Sequence, residues 1–341
     1  MRRLLSVLTG LCLFGLPVGA ETWRMATPYG DGLFQTQNVR DFAEAISRAT
    51  DGALEIEVHP GASLYAHGDI AGAVSAGEIQ IGEVLLSVLS SDGAAYGLDS
   101  LPFSAVSYDE ADALWEMQRP LVEAAMAERG LMPLYSVAWP PQGLYTREEI
   151  TDPAQLRGLK LRTYNATMDE LAAALGMEPV RIEVKDIPDA IARGDLDVMI
   201  TSATTGASTG SWDYFPYFYD IQAWLPKNIV FVNRAAFDAL PSDQQAAILA
   251  AADDAQIEGT ISSMIDAVEA VKTLFDRDVA IITTDSEVME TRDGQSVRSI
   301  TPELIGALED AARLVTQDWL AGAGAQEGQL RAVIRKEGTG G

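Results

Sequence analysis

The segment Leu156–Ala166 has the sequence LRGLKLRTYNA, in which apolar and polar residues alternate up to Arg162. This alternation predicts a half-buried β-strand, and the segment 167–176 that follows predicts a helix closed by glycine. A strand that runs directly into a helix indicates an α/β fold. Ligands bind at such junctions because strand ends open into a crevice and helix N-termini attract anions.

Arg162 is the residue of this junction with the most specific chemistry. Its guanidinium can hold a carboxylate through two parallel hydrogen bonds, which the ammonium group of lysine cannot do. An arginine at the end of a strand also fits a structural ion pair, since buried charged side chains are usually paired. From these residues alone, the carboxylate anchor and the ion pair both stay open.

A helix-glycine-strand pattern occurs twice in the chain. The segment Ala73–Ile81 (AVSAGEIQI) closely resembles Ala190–Val198 (AIARGDLDV). Each copy predicts a helix ending at glycine, then an acidic residue, then a short strand with alternating apolar positions. The pattern is common in α/β proteins, so chance similarity is one explanation. The other is two lobes of similar build, each of which ends a strand at a shared cleft.

The rest of the chain fits alternating strands and helices. Further strands are predicted at 22–27, 53–59, 131–137 and 229–233, with a helix at about 37–50.

A long helix is predicted from Ser242 to about Asp276. At 1.5 Å per residue it would measure about 50 Å, which is enough to span two lobes. It carries one apolar stripe, which we expect to be part of the core. The stripe consists of Ile257, Ile261, Met264, Ile265, Val268, Val271, Leu274 and Phe275.

The first twenty residues predict a secretory signal peptide. Arg2 and Arg3 precede an apolar run that ends at Leu16, and small residues up to Ala20 allow cleavage before Glu21. The run is too short to span a bilayer. We therefore expect export to the periplasm without direct membrane anchoring. Cleavage would also remove the only cysteine of the chain, and with it any disulfide or thiol chemistry.

Acidic residues dominate the part that would be exported. The leader holds two of the 24 Lys and Arg residues and none of the 50 Asp and Glu residues, which leaves a net charge of −28. A surface this acidic argues against binding to nucleic acid or to an anionic membrane. An anion site on this protein would have to depend on local hydrogen-bond donors.

One catalytic motif is present in the sequence. Gly206–Gly210 (GASTG) matches the Gly-x-Ser-x-Gly nucleophile elbow, with Ser208 as the nucleophile. The elbow requires a following helix and a later histidine, but the next residues are poor helix formers, and His59 and His67 both precede Ser208. A serine hydrolase is therefore only an alternative.

The two histidines do not have the spacing of a metal site, and we expect no metal or cofactor.

Several features together resemble the DctP-type solute-binding proteins of TRAP transporters. They are the signal peptide, the Leu156–Arg162 motif, the Gly194–Asp197 segment and the long late helix, and the resemblance extends from Trp23 to about Val333. It implies a two-lobed α/β periplasmic binding protein fold whose long late helix spans both lobes. It also implies a protein without catalysis that closes on an organic acid and delivers it to a membrane permease. The alternative is a secreted ligand-sensing protein that reports to a membrane receptor. The neighbouring genes would distinguish transport from sensing.

The resemblance also implies a division of the chain. The expected parts are the signal peptide 1–20, lobe I from 21–139 with about 227–265, lobe II from 140–226 with about 266–333, and a flexible tail 334–341.

The resemblance makes Arg162 the anchor of the substrate carboxylate. Sialic-acid-binding members carry a second arginine where this chain has Gln142, and an asparagine where it has Thr201 and Ser202. Neutral side chains at these places favour a small monocarboxylate or a sulfonate over a sugar acid with several charges. Asn165 and Ser202 join Gln142 as expected polar contacts from lobe II.

Residues of lobe I complete the predicted site. Tyr29 lies in the loop after the first strand, and Glu83 and Ser87 lie in a stretch that faces the cleft in similar proteins. Aromatic side chains near the cleft would suit an aromatic or compact apolar acid, because ring packing adds to burial. The aromatic candidates are Tyr29, Trp139, Tyr145, Trp212 and Tyr219.

Overall fold

The computed structural model describes residues 21–283 and 298–337 of the chain. The predicted signal peptide lies outside the described residues, as do the last four residues of the predicted tail. The first part of that tail, 334–337, belongs to the final helix.

The strands and helices alternate along the chain, as an α/β fold requires. The strands are β1 (Glu21–Ala26), β2 (Leu54–His59), β3 (Ile81–Leu85), β4 (Leu131–Ala138), β5 (Gln142–Thr146), β6 (Lys160–Thr163), β7 (Glu178–Arg181), β8 (Val198–Ser202), β9 (Tyr217–Asp220), β10 (Lys227–Asn233), β11 (Ala280–Thr283) and β12 (Arg298–Ser299). The helices are α1 (Phe34–Ala49), α2 (Ile70–Ser75), α3 (Tyr108–Ala127), α4 (Ala166–Ala174), α5 (Ile187–Arg193), α6 (Ala203–Ser208), α7 (Arg234–Ala239), α8 (Ser242–Asp276), α9 (Pro302–Gly322) and α10 (Glu327–Glu337).

These strands form two separate sheets, which confirms the predicted two-lobed α/β fold. The first sheet has the order β2-β1-β3-β10-β4, and the second has the order β12-β11-β9-β5-β8-β6-β7. The chain crosses from β4 to β5 and returns from β9 to β10. Each strand that follows a crossing is antiparallel to its neighbours: β5 to β8 and β9, and β10 to β3 and β4.

The two crossing segments are hydrogen-bonded to each other and form a ribbon between the sheets. The Trp139 N–H donates to the Pro226 carbonyl oxygen at 2.7 Å, and the Gln142 N–H donates to the Trp224 carbonyl oxygen at 3.0 Å. The Ala223 N–H returns a bond to the Gln142 carbonyl oxygen at 2.9 Å. We call residues 139–142 together with 223–226 the crossing ribbon.

Both copies of the repeated sequence pattern adopt the predicted structure. Gly77 after α2 and Gly194 after α5 have φ angles of +74° and +73°, a left-handed conformation that glycine adopts without steric cost. The chain then enters β3 in the first sheet and β8 in the second. The pattern therefore occurs once in each sheet.

Helix α8 has the predicted bounds and packs on both lobes. It contacts α1 and β4 on the side of the first sheet, and α6 and β11 on the side of the second. Ile248 packs with Phe42 in the core of the first lobe, and Leu274 packs with Phe215 in the core of the second.

The prediction that the apolar stripe of α8 is core is wrong for its central part. Ile257 is 60% exposed and Val268 is 71% exposed, and Ile261, Met264 and Ile265 are also exposed. The face that packs on the protein here consists of small residues instead.

Gly259 shows why the small residues face inward. A Cβ atom at this position would lie 2.6 Å from Val137 Cγ2, so only glycine allows the helix to approach β4 this closely. Ala255 and Ser263, one turn away on either side, are buried on the same face. This close packing leaves the larger apolar side chains on the outer face.

The C-terminal helix contacts the first lobe. Leu330 and Val333 pack with Leu98, Leu101 and Leu114 in one apolar cluster. Throughout the residues that the structure describes, every helix is too short or too polar to span a membrane.

The motif glycine Gly206 has a packing role, which gives a testable prediction. A Cβ atom at this position would lie 2.1 Å from Tyr145 Oη, and the tyrosine ring is buried between Phe215 and Phe218. We expect Gly206→Ala to lower the free energy of unfolding by about 1–3 kcal/mol, the usual cost of overpacking. Urea denaturation measures this.

The matched control is Gly306→Ala in α9. A Cβ atom at Gly306 would meet no atom within 4 Å, so this variant should gain up to about 1 kcal/mol from helix propensity. Equal stability changes in the two variants would contradict the packing role of Gly206.

Candidate functional site

A cavity of about 40 Å³ lies where strands of the two sheets end. Leu85 at the end of β3 lines it from the first sheet, and Arg162 in β6 and Thr201 in β8 line it from the second. Tyr29 and Trp139 lie on the wall of the first lobe. The remaining lining residues are Val88, Gln142, Tyr164, Glu183, Val184, Thr205 and Pro226.

Arg162 reaches this cavity as a buried cation, 1% exposed. Its Nε donates to the Ile182 carbonyl oxygen at 2.8 Å, and its guanidinium lies over the Tyr164 ring, 4.9 Å from the ring centroid. Burial lowers the pKa of Arg162, while the negative potential of Tyr164 and Glu183 acts to raise it.

No carboxylate of the described residues forms an ion pair with Arg162 within 4.0 Å. Burying an unpaired charge costs several kcal/mol, so an anion bound in the cavity would stabilise Arg162. Of the two alternatives left by the sequence, the structural ion pair is not found among the described residues, and the anion anchor stays a prediction.

Glu83 lies behind the cavity wall rather than in it. Its Oε2 accepts a hydrogen bond from Thr27 Oγ1 at 2.6 Å, and its Oε1 accepts one from Asn228 Nδ2 at 2.7 Å. Burial raises the pKa of Glu83 to about 7, although the two hydrogen bonds act to lower it. Both oxygens of Glu83 therefore accept hydrogen bonds from the protein. Because its raised pKa also favours the neutral acid, this carboxyl would repel a nearby anion less than a free carboxylate would.

The partner of Glu83 positions the two aromatic side chains of the wall. Asn228 Oδ1 accepts hydrogen bonds from the Tyr29 hydroxyl at 2.9 Å and from Trp139 Nε1 at 2.7 Å. The two rings also pack edge to face, with centroids 5.2 Å apart. The network from Glu83 through Asn228 therefore fixes the shape of the wall.

Gln142 also lines the cavity. Its Nε2 donates to the Pro140 carbonyl oxygen at 2.9 Å, and its Oε1 accepts from the Tyr164 hydroxyl at 3.4 Å. These bonds hold a neutral amide near Arg162.

Asn165 and Ser202 cap helices, and their direct neighbours line the cavity instead. Asn165 Oδ1 accepts from the Met168 N–H at 2.8 Å, and Ser202 Oγ accepts from the Thr205 N–H at 3.2 Å. Asn165 also donates to Ser87 Oγ at 2.9 Å, which joins the second lobe to the first. The side chains of both caps therefore act within the protein.

Three predicted aromatic residues lie away from the cavity. Tyr145 is packed in the core of the second lobe with Phe218, ring centroids 4.6 Å apart. The Tyr219 hydroxyl accepts from the Ile150 N–H at 2.6 Å. Trp212 packs under Arg277, 4.7 Å from its ring centroid. The expectation that these rings line the cleft is corrected accordingly.

Several lining residues were missed by the sequence analysis. Tyr164 lies inside the segment that was singled out, two residues after Arg162. Glu183 and Val184 lie two and three residues after the end of β7, so the rule that strand ends form sites would have found them.

Ser208 lacks the geometry of a nucleophile elbow. It is the last residue of α6, not the residue at the turn between strand and helix, and its hydroxyl donates to the Thr205 carbonyl oxygen at 3.2 Å. Across residues 21–283 and 298–337, no group of three or more His, Cys, Asp or Glu side chains is arranged to hold a metal ion.

Comparison with known proteins gives a family match over most of the chain. The family model of the bacterial extracellular solute-binding proteins, family 7 (DctP), matches residues 25–330. A curated solute-binding protein of Albidiferax ferrireducens is 24% identical over 232 residues, which are 63% of this chain and 65% of that protein. The match thus spans slightly less than two thirds of this relative.

Two similar solved structures have higher identity. DctP7 of Bordetella pertussis, an extracytoplasmic solute receptor binding pyroglutamic acid, is 34% identical with a TM-score of 0.84, and the match covers 93% of this chain and 100% of that chain. A marine metagenome TRAP solute-binding protein specific for pyroglutamate is 31% identical with a TM-score of 0.84, covering 93% and 99% of the two chains.

Proposed function

Because the chain belongs to family 7 of the bacterial extracellular solute-binding proteins, we propose that it is the receptor of a TRAP transporter and captures pyroglutamate. The observation that carries the proposal is Arg162, a cation that is 1% exposed in the cavity and has no ion-pair partner among the described residues. A ligand carboxylate supplies the missing charge through two parallel hydrogen bonds.

The other lining residues favour a small acid with a single charge. Gln142 beside Arg162 is neutral, and Leu85, Val88 and Trp139 give the wall an apolar character. Pyroglutamate combines one carboxylate with a compact five-membered ring, and two structures that are 31–34% identical bind it. A uronic acid would bring a ring with several hydroxyl groups, which an apolar wall leaves unpaired.

Closure of the lobes couples binding to delivery. The cavity lies between the sheets, and contacts such as Asn165 to Ser87 join the lobes across it. A ligand that contacts both lobes stabilises the closed form, and the closed form buries the ligand. The permease would recognise this closed surface. The N-terminal segment would be removed after Ala20 during export to the periplasm.

Calorimetry on the purified protein tests the ligand. The protein is first unfolded in urea and refolded to remove any acid acquired during expression. We expect pyroglutamate to bind with one site per chain and, at 100 times its Kd, to stabilise the fold by about 2.7 kcal/mol. D-Glucuronate should give neither heat nor stabilisation.

If the protein binds glucuronate in preference to pyroglutamate, the proposed ligand is wrong, but the proposal that the protein is a receptor for an organic acid still stands. Failure of both acids, and of a wider panel of monocarboxylates, would contradict the receptor function of the cavity.

A further inference from the structure

We propose that Glu183, held across the cleft by His67, accepts a hydrogen bond from a ligand N–H and thereby selects acids that carry a donor next to the carboxylate. This inference rests on the proposed function of the cavity, and it assigns a specificity role to a residue pair that the sequence did not suggest.

Two opposite charges line the same cavity without forming an ion pair within 4.0 Å. Arg162 Nε is bound to the carbonyl oxygen of Ile182, and Glu183 is the next residue in the chain. The Glu183 carboxylate nevertheless lies outside ion-pair distance of Arg162, and its side chain, 44% exposed, pairs with His67 instead. The cavity therefore offers a cation and an anion as separate groups.

The hydrogen bonds of His67 determine which of its ring nitrogens carries the proton. The backbone N–H of Leu85 donates to Nε2 at 3.1 Å, so Nε2 is an acceptor and has no proton. The proton of the neutral ring is therefore on Nδ1, which lies 3.3 Å from Glu183 Oε2 and donates to it. The ring also packs edge to face against Tyr29 of the cavity wall, with centroids 5.8 Å apart.

This bond joins the two lobes and engages only one carboxylate oxygen. His67 precedes α2 in the first lobe, and Glu183 lies between β7 and α5 in the second. The bond from His67, with the positive charges of Arg162 and Arg181, holds the pKa of Glu183 below its usual value, although burial opposes this. Glu183 is thus ionised at neutral pH and can only accept hydrogen bonds.

An ionised carboxylate beside an anion site imposes a chemical condition on the ligand. A plain anion at Arg162 would be repelled by Glu183, whereas an anion with an adjacent N–H places a donor against it. In pyroglutamate, the ring nitrogen is bonded to the carbon that bears the carboxylate. One small molecule therefore presents an acceptor to Arg162 and a donor to Glu183.

The test compares pyroglutamate with its lactone isostere, 5-oxotetrahydrofuran-2-carboxylate, in which oxygen replaces the ring N–H. Wild-type protein should bind pyroglutamate at least about 50-fold more tightly, because the ring oxygen would face a carboxylate with no proton between them. In Glu183→Gln, the new amide can donate to the ring oxygen, so the preference should fall to within about 5-fold.

Two further variants separate specificity from structure. Glu178→Gln makes the same change at an exposed position at the start of β7, the strand that precedes Glu183, and it should keep the wild-type preference. His67→Phe keeps a ring against Tyr29 but removes the Nδ1 donor, so the preference should fall part of the way. A purely structural role of His67 would change both affinities by the same factor.

The outcomes distinguish this inference from the proposed function. If wild-type protein binds pyroglutamate and its lactone equally, or if Glu183→Gln keeps the full preference, the inference is overturned and the receptor function stands. If wild-type protein binds neither compound, the proposed ligand fails and the inference fails with it.

Discussion

Replacing Arg162 with alanine is expected to weaken pyroglutamate binding by about 30-fold to several thousandfold. Removing one partner of a buried charge-assisted pair costs about 2–5 kcal/mol, and each 1.4 kcal/mol is a tenfold change in Kd. The unliganded fold should be as stable as wild type or more stable, because the variant no longer buries an unpaired charge. Calorimetry measures the affinity, and urea denaturation measures the stability.

Two companion variants make this result specific. Arg162→Lys keeps the charge but loses the planar pair of donors and the bond to Ile182, so its affinity should lie between those of alanine and wild type. Arg157→Ala removes an exposed arginine of the same segment and should bind as wild type does. Unchanged affinity in Arg162→Ala would refute the anchor role.

Asp99→Asn is expected to alter how stability depends on pH. Asp99 is buried near the start of β10, and its Oδ2 accepts from the Lys227 backbone N–H at 2.6 Å. Burial raises the pKa of Asp99 to about 7, although the bond from the Lys227 N–H and the charge of Lys227 act to lower it. An aspartate in the unfolded chain has a pKa of about 3.9.

The sign of the effect follows from these two values. Between about pH 4 and pH 7 the folded protein binds a proton that the unfolded chain has released, so the contribution of Asp99 to stability falls as pH rises. The asparagine side chain cannot ionise, so its contribution to the free energy of unfolding does not change with pH. We therefore expect the stability of Asp99→Asn relative to wild type to increase by about 2–3 kcal/mol from pH 5 to pH 8.

Urea denaturation at the two pH values measures this change. Glu83 titrates in the same range, but it is present in both proteins and cancels in the comparison. Asp253→Asn, on the exposed side of α8, should show the same stability relative to wild type at both pH values. If the stability of Asp99→Asn relative to wild type is also the same at pH 5 and pH 8, Asp99 stays ionised in the folded protein over this range.

Local patterns in the sequence were sufficient to predict much of the fold. The sequence predicted a helix from Ser242 to about Asp276, and the structure has α8 over these residues. The repeated helix-glycine-strand pattern was explained either by chance or by two lobes of similar build, and the structure has one copy leading into each sheet. Arg162 was found because its strand leads directly into a helix.

The predictions that failed required knowing which face of a strand or helix packs against the rest of the protein. Gln142 of β5 faces the cavity, and alternation along the strand puts Tyr145, three residues later, on the opposite face. The stripe on α8 was expected to be buried because it is apolar, but Gly259 and the small residues near it allow closer packing on the other side. Glu183 and His67 lie on different lobes and meet only because the two lobes pack against each other. Local sequence patterns do not show which residues of two lobes will be neighbours.

The crossing ribbon limits how the lobes can move apart. Pro140, Pro141 and Pro226 have fixed φ angles, and hydrogen bonds between the two segments restrict the residues around them. The ribbon therefore has fewer accessible backbone conformations than a linker without prolines and cross-bonds would have. If the chain is the receptor proposed above, a stiffer connection between the lobes lowers the conformational entropy lost on closure, and less of the contact energy with the ligand is spent on ordering the protein.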